Sequence, residues 1–143
     1  MTNNQYINAY KKAQQSSNAV TSSHEIIRTL MKELVNSMQK IVINIQEERK
    51  KDQFTVEKDF EEKNARRKSK NLSKSLSIIY GLQTSLDFDK ALEIANNLFQ
   101  LYEYCRHEII KGFSSKIEDG IIKAIDVINQ IMEGWEKIPS LER

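Results

Sequence analysis

Apolar residues recur at spacings of three and four along four successive segments of this chain of 143 residues. This spacing marks one face of an α-helix, which has about 3.6 residues per turn. Only four Gly and one Pro are present, so the chain lacks the residues that the turns of a multi-stranded sheet require. The pattern predicts an all-α fold, an antiparallel four-helix bundle.

The first predicted helix begins at Ser22, because Ser22 and Glu25 form a capping box in which each side chain bonds the backbone N–H of the other. Its apolar face continues until the chain becomes highly charged at Gln46. The residues of this face are Ile27, Leu30, Met31, Leu34, Met38, Ile41, Val42 and Ile45. Within the charged stretch, Asp52 or Thr55 is expected to cap a new helix. The region therefore predicts an extended hairpin between helices 1 and 2, with a solvated tip.

Three further apolar faces predict the remaining helices. The second helix is expected to bury Leu72, Leu76, Ile79 and Leu82, and the fourth to bury Ile117, Ile121, Ala124, Ile125, Ile128, Ile131, Met132 and Trp135. The third is expected to take its cap from Asp87 or Asp89, with Glu93 near its positive end. Gly112 and the serines after it are expected to break this helix, and Pro139 is expected to close the fourth.

The third helix carries more apolar surface than the core of a small bundle needs. One face consists of Ala91, Ala95, Leu98, Tyr102, Cys105 and Ile109. A second, narrower stripe consists of Leu92, Phe99 and Ile110. A helix with two apolar stripes is either central in its bundle or one wall of a groove for a partner.

Residues 1–20 are predicted to form a capping segment and tether, and residues 21–143 the bundle. Tyr6 and Tyr10 share one helical face, with Ile7 beside them, but a helix this short is marginal in water unless it docks. A polar tether follows it. The segment is therefore either detachable or a permanently attached first helix.

Charge and hydropathy argue against nucleic-acid and membrane partners. The net charge of +2 is too small to indicate nucleic acid. One basic run, at Arg66, Arg67, Lys68, Lys70 and Lys74, follows an acidic segment and is interpreted as a solvated helix face. No apolar run approaches the ~20 residues of a membrane span, and the N-terminus lacks the regions of a signal peptide. A cytoplasmic protein is the expectation.

Neither an enzyme nor a cofactor or metal site is expected. Cys105 is interpreted as a core residue, since it lies about 200° around the helix from His107 and cannot pair with it. His24 falls on another helix, and no helix carries the E-x-x-H pair of di-metal bundles. The glycines are isolated, which excludes a glycine-rich phosphate loop.

Two segments, SLDFDKALEIANNLFQLYEYC and the closing VINQIMEGWEKI, resemble the flagellin-specific export chaperone family, FliS. In that family an S-L-D loop precedes a helix with A-x-N-L-x-x-L-Y-x-Y, and the last helix ends in a Trp. The matching positions are Ser85, Leu86, Asp87, Ala95, Asn97, Leu98, Leu101, Tyr102, Tyr104 and Trp135. The N-A-Y triplet that ends at Tyr10 is similar to the family's short pre-helix. In two respects the chain departs from the family: Ser22 and Ser23 replace Ser-Pro, and the charged hairpin is longer.

The resemblance implies a cytoplasmic export chaperone that binds the disordered C-terminal segment of flagellin, prevents premature polymerisation and aids type III secretion, with contacts to the export apparatus. Together with the second stripe, it predicts a partner-binding set of Tyr6, Ile7, Tyr10, Leu86, Asn97, Leu98, Phe99, Leu101 and Tyr102. The N-terminal segment would cover part of this surface until cargo arrives. The alternative is a non-catalytic helical scaffold that self-associates through the same surface, and a weak homodimer is left open.

Overall fold

The computed structural model describes residues 23–50 and 58–137, which form four α-helices and no strand. The helices are α1 (Ser23–Lys50), α2 (Lys58–Thr84), α3 (Leu92–Ser115) and α4 (Asp119–Glu136). The prediction of an all-α helical bundle is confirmed. The predicted features that lie outside the described residues are the segment 1–20, the cap at Ser22, the caps at Asp52 or Thr55, and Pro139.

Successive helices run antiparallel. Across α1 and α2, Ser37 hydrogen-bonds Ser75 at 2.7 Å while Asn44 bonds Asn64 at 2.9 Å, so residue numbers rise on one helix as they fall on the other. Helix α1 packs mainly on α2 and α4, and α3 packs on the same two helices. Helices α1 and α3 therefore occupy opposite corners of the bundle.

The core contains the apolar faces that the sequence predicts on all four helices. Its fully buried large side chains include Met31, Leu34, Met38, Ile41, Ile45, Ile78, Ile79, Leu82, Ile109, Ile121 and Ile128. Burying each of these contributes roughly 1.5–3 kcal/mol of transfer free energy. Two predicted core residues were wrong. Ile117 is 53% exposed, because it lies in the link before α4 rather than on the helix, and Leu76 is half-buried outside the core.

Helix α3 begins later than the sequence predicts. The Asp87 carboxylate accepts hydrogen bonds from the backbone N–H groups of Asp89 and Lys90, each at 3.0 Å, and so closes the turn that precedes the helix. The N-cap is Ala91, which offers no side-chain cap hydrogen bond. The prediction that Asp87 or Asp89 caps α3 was therefore wrong, whereas Glu93 does lie in the first turn.

Gly112 does not break α3 but lies buried inside it. A Cβ at this position would lie 2.6 Å from Cδ1 of Ile121 and 2.8 Å from the carbonyl oxygen of Ile117. The glycine therefore allows the start of α4 to close on α3. The helix ends instead at Lys116, whose left-handed backbone (φ 61°) lets its N–H donate to the carbonyl of Gly112.

Polar contacts join the last turn of α1 to α2 and to the residue before α4. Lys68, a member of the basic run, is only 5% exposed. Its Nζ lies 2.7 Å from Glu48 and donates to the carbonyl of Phe113 at 3.0 Å. Beside it, Arg49 donates two hydrogen bonds to the carboxylate of Glu118. A buried ammonium requires such partners, so the interpretation of the whole run as a solvated face was wrong for Lys68.

The opposite end of the bundle is closed by His24 and Trp135. Their rings stack with centroids 4.8 Å apart and an interplanar angle of 8°. The indole Nε1–H donates to the carbonyl of His24 at 2.9 Å, and Nε2 of His24 lies 2.6 Å from the carbonyl of Trp135. These reciprocal contacts join the first turn of α1 to the last turn of α4.

Candidate partner-binding surface on helix α3

Helix α3 leaves apolar side chains exposed on both sides of its buried stripe. The stripe consists of Ala95, Tyr102, Cys105 and Ile109, all buried. The exposed large apolar residues of the helix are Leu92, Ile94, Leu101, Tyr104 and Ile110. The described part of the bundle therefore uses only the centre of the apolar surface of α3 for its own core, and the two flanks face solvent.

A groove of about 520 Å³ lies between α2 and α3. It is lined by Leu76, Tyr80, Gln83, Thr84, Phe99, Glu103 and Arg106, and we call it the α2–α3 groove. Phe88, from the turn before α3, packs edge-on against Phe99 with ring centroids 6.3 Å apart. Tyr80 is 50% exposed, so aromatic surface is available to a ligand in this groove.

A short polar network borders the α2–α3 groove. The Glu103 carboxylate accepts a hydrogen bond from Arg106 at 2.8 Å and another from the Gln83 amide at 3.2 Å. The bond from Arg106 lowers the pKa of Glu103. The groove thus combines aromatic and aliphatic side chains with a polar border, which is the pattern of sites that bind an amphipathic peptide.

The other flank of α3, on the side of α4, is also apolar. Ile94 is 63% exposed, and Leu101 and Tyr104 are each 38% exposed. Asn97 lies among them at the helical spacing of three and four and is exposed. We call these four residues the outer flank. It offers a strip of apolar surface with one side-chain amide.

The predicted partner-binding residues are distributed around α3 rather than gathered in one site. Phe99 lines the α2–α3 groove, whereas Leu101 is two residues away and therefore about 200° around the axis, on the outer flank with Asn97. Leu98 is half-buried against the core between them, and Tyr102 is only 3% exposed.

The remaining members of the predicted set lie elsewhere. Leu86 is half-buried against the core in the turn before α3. Tyr6, Ile7 and Tyr10 lie outside the described residues.

Several residues of this surface were missed in the sequence, namely Leu76, Tyr80, Gln83, Phe88 and Ile94. Tyr80 stands between the buried Ile79 and Gly81, about 100° around the axis from each of them. An aromatic residue on the polar side of α2 was the sequence feature that could have identified Tyr80 as part of this surface. Leu76 was predicted to be core, but it is half-buried and lines the groove.

Cys105, the one thiol of the chain, is buried beneath this surface. Burial raises the pKa of the Cys105 thiol to about 12, and the thiol donates to the carbonyl of Ala124 at 3.7 Å, so it remains protonated within the core. No cluster of three potential metal ligands occurs within residues 23–50 and 58–137. In the same residues, no helix is both long and apolar enough to cross a bilayer.

Comparison with known proteins agrees with the resemblance. The chain matches the family model described as "Flagellar protein FliS" over residues 6–142. It is 31% identical over 72 residues to the flagellar secretion chaperone FliS of Vibrio cholerae and 33% identical over 72 residues to that of Salmonella typhimurium, in each case covering 50% of this chain and 53% of the relative. It is 28% identical over 67 residues to the flagellar secretion chaperone FliSB of Pseudomonas aeruginosa, covering 47% and 53%.

The matches to these curated relatives thus span about half of their length. No solved structure matches the chain with statistical significance. The family model, in contrast, covers most of the chain. From this match, together with the helical bundle and its family residues on α3, we conclude that the chain belongs to the FliS family of flagellar proteins.

Proposed function

We propose that this chain is a cytoplasmic chaperone that binds the disordered C-terminal segment of flagellin, holds it unpolymerised and assists its delivery to the flagellar export apparatus. The observation that carries the proposal is the apolar surface on both sides of α3. Relatives named flagellar secretion chaperones support the class of function. The proposed contact residues on α3 are Asn97, Leu98, Phe99 and Leu101.

A disordered amphipathic segment fits this surface because it can fold as it binds. The segment would lay apolar side chains into the α2–α3 groove and form hydrogen bonds at the polar border. The loss of translational and rotational freedom alone costs roughly 4–15 kcal/mol and ordering of the segment adds to it, whereas one fully buried Leu or Phe contributes roughly 1.5–3 kcal/mol. One anchor is therefore insufficient, and the segment must fill several positions.

The two flanks of α3 supply those positions together. The groove holds Tyr80 and Phe99, and the outer flank adds Ile94, Leu101 and Tyr104. Because the flanks lie on opposite sides of the helix, a bound segment that uses both must wrap across the exposed face of α3. Buried residues such as Tyr102 would then support the surface from beneath rather than contact the cargo.

In this proposal the N-terminal segment, residues 1–20, regulates the access of flagellin to α3. Tyr6, Ile7 and Tyr10 would cover apolar surface of α3 in the absence of flagellin and give way when cargo arrives. Such a cover would limit aggregation of an exposed apolar patch. A chain that starts at Thr21 should then bind cargo more tightly than the intact chain, since no cover has to be displaced.

Calorimetric titration of a flagellin C-terminal peptide into the intact chain, and into the version that starts at Thr21, tests the proposal. We expect saturable binding to both, and inhibition of flagellin polymerisation, followed by light scattering, by the intact chain. If neither version binds any flagellin C-terminal peptide, the chaperone function is refuted. A size measurement without peptide then tests the alternative, a scaffold that self-associates through α3.

A further inference from the structure

A second groove, of about 530 Å³, lies between α1 and α2 and is strongly basic. It is lined by Lys40, Ile43, Asn44, Arg67, Lys70, Asn71 and Lys74, and we call it the basic groove. Four of its seven lining residues are cationic and none is acidic. The flagellin proposal does not use this surface.

The positive charge of the basic groove is only partly neutralised. Lys74 pairs with Glu33 at 2.9 Å. Within residues 23–50 and 58–137, no carboxylate lies within ion-pair distance of Lys40, Arg67 or Lys70. Three like charges along one concave surface produce a local positive potential that attracts an anionic ligand.

Two neighbouring cations of the same helix do have internal partners. Lys63 pairs with Asp59 at 3.1 Å and Arg66 with Glu62 at 3.8 Å, each one helical turn away. These two cations are thus paired with carboxylates of their own helix. The uncompensated positive charge is therefore a property of the groove and not of the whole basic run.

The floor of the basic groove is held in place by side-chain amides. Asn71 donates to the Asn44 side-chain oxygen at 3.0 Å, and Asn44 donates to Asn64 at 2.9 Å. Asn64 in turn donates to the backbone carbonyl of Asn44 at 3.0 Å, which joins α1 and α2 beneath the groove. Above this layer Ile43 is 53% exposed among the cations. The groove thus presents the apolar side chain of Ile43, surrounded by cationic side chains, above a layer of hydrogen-bonded asparagines.

We propose that the basic groove docks an acidic segment of a partner protein, whose carboxylates pair with Lys40, Arg67 and Lys70 while an apolar side chain covers Ile43. Charge complementarity selects an anionic partner. No aromatic residue lines the groove, so the stacking platform typical of single-stranded nucleic-acid sites is absent there. An isoleucine beside two asparagines instead suits a polypeptide that alternates acidic and apolar side chains.

This docking site is separate from the proposed flagellin surface. The basic groove and the α2–α3 groove both border α2 but share no lining residue, and α3 occupies the corner opposite α1. Flagellin and an acidic partner could therefore bind at the same time. The groove accordingly provides a means of bringing the chaperone to a second protein while α3 remains occupied.

Fluorescence anisotropy on the intact chain tests the docking site. The probe is a short fluorescein-labelled peptide of aspartates and glutamates around one leucine, and the reference is the same peptide with asparagine and glutamine. The groove variant carries Arg67→Gln and Lys70→Gln. A matched control carries Lys58→Gln and Arg66→Gln, which removes the same charge from α2 outside the groove.

We expect saturable binding of the acidic peptide that weakens with salt and exceeds binding of the amide peptide. The groove variant should bind roughly fivefold to tenfold more weakly, and the control should match the parent. Equal binding of the two peptides, or equal loss in both variants, would overturn the proposal. Tighter binding of an oligothymidylate or of phosphatidylglycerol vesicles than of the acidic peptide would overturn the choice of partner. If the groove variant does not fold, the comparison of the acidic and amide peptides on the parent still tests the preference for carboxylates, and equal binding overturns the proposal.

Discussion

Substitution of Gly112 by alanine should destabilise the bundle, although alanine is the better helix former. The added methyl group would lie 2.6 Å from Cδ1 of Ile121 and 2.8 Å from the carbonyl oxygen of Ile117. Ile121 is fully buried, so its side chain cannot turn outward, and the second contact is with backbone. Overpacking of this kind costs about 1–3 kcal/mol, against a helix-propensity gain of about 1 kcal/mol. We expect a net loss of up to about 2 kcal/mol.

A matched control is available at Gly81, which lies within α2. A Cβ there would meet nothing within 4 Å, so Gly81→Ala should stabilise the protein by up to about 1 kcal/mol. Thermal unfolding followed by circular dichroism should separate the two variants, since 1 kcal/mol shifts the Tm of a chain of this size by roughly 3–5 °C. If Gly112→Ala melts at or above the parent, the close approach of α4 to α3 is refuted.

Three further substitutions test the polar contacts at the two ends of the bundle. The hydrogen bonds from Arg49 lower the pKa of Glu118 from 4.5 to about 2, so the stability from this pair is present above about pH 4.5 and is lost as the pH falls towards 2. Urea midpoints should therefore fall less with acid in Glu118→Gln than in the parent, and identical pH profiles would contradict this. Trp135→Phe removes the indole donor to the carbonyl of His24 and should cost roughly 1 kcal/mol of unfolding free energy, whereas an unchanged urea midpoint would argue against the contact. Lys68→Met keeps the aliphatic stem but removes the donor to the Phe113 carbonyl and the nearer of the two cations that pair with Glu48, so it should cost about 1–3 kcal/mol. A midpoint equal to that of the parent would indicate that this ammonium is solvated.

The helices and most of the core could be predicted because burial follows the helical period. Met31, Leu34, Met38 and Ile41 are spaced by three and four residues and are all fully buried. The period gives the direction of a side chain around its own helix. It does not give the position of the helix end, which is why Ile117 was placed on α4 although it lies in the preceding link.

The burial of Lys68 could not be predicted from the pattern of charges along the chain. Lys68 lies four residues after Asn64 and seven before Ser75, and all three are buried on the core-facing side of α2. Lys68 therefore lies on the buried face of α2, although its charge and its basic neighbours indicated solvent. The partners that stabilise it, Glu48 and the carbonyl of Phe113, come from other helices, and a single sequence does not show which helices meet there.

Only the α3 wall of the candidate site could be predicted from the sequence, because a single sequence does not show which helices meet. Phe99 belongs to the second apolar stripe of α3, and the groove beside it was expected from that surplus. The other wall comes from α2, where Tyr80 has one apolar neighbour at helical spacing on its own side, Leu76, which was assigned to the core. That Tyr80 and Phe99 line the same groove depends on how α2 and α3 pack, which only the structure describes.

Calorimetric titration of the flagellin C-terminal segment into groove variants tests the central claim most directly. The test variant carries Tyr80→Ser and Phe99→Ser, and the matched control carries Ile43→Ser, an exposed apolar residue on the α1–α2 face. Circular dichroism should confirm equal helix content. We predict that the groove variant binds at least roughly tenfold more weakly while the control keeps the affinity of the parent. Equal affinity of the parent and both variants would contradict the assignment of the α2–α3 groove as the flagellin site.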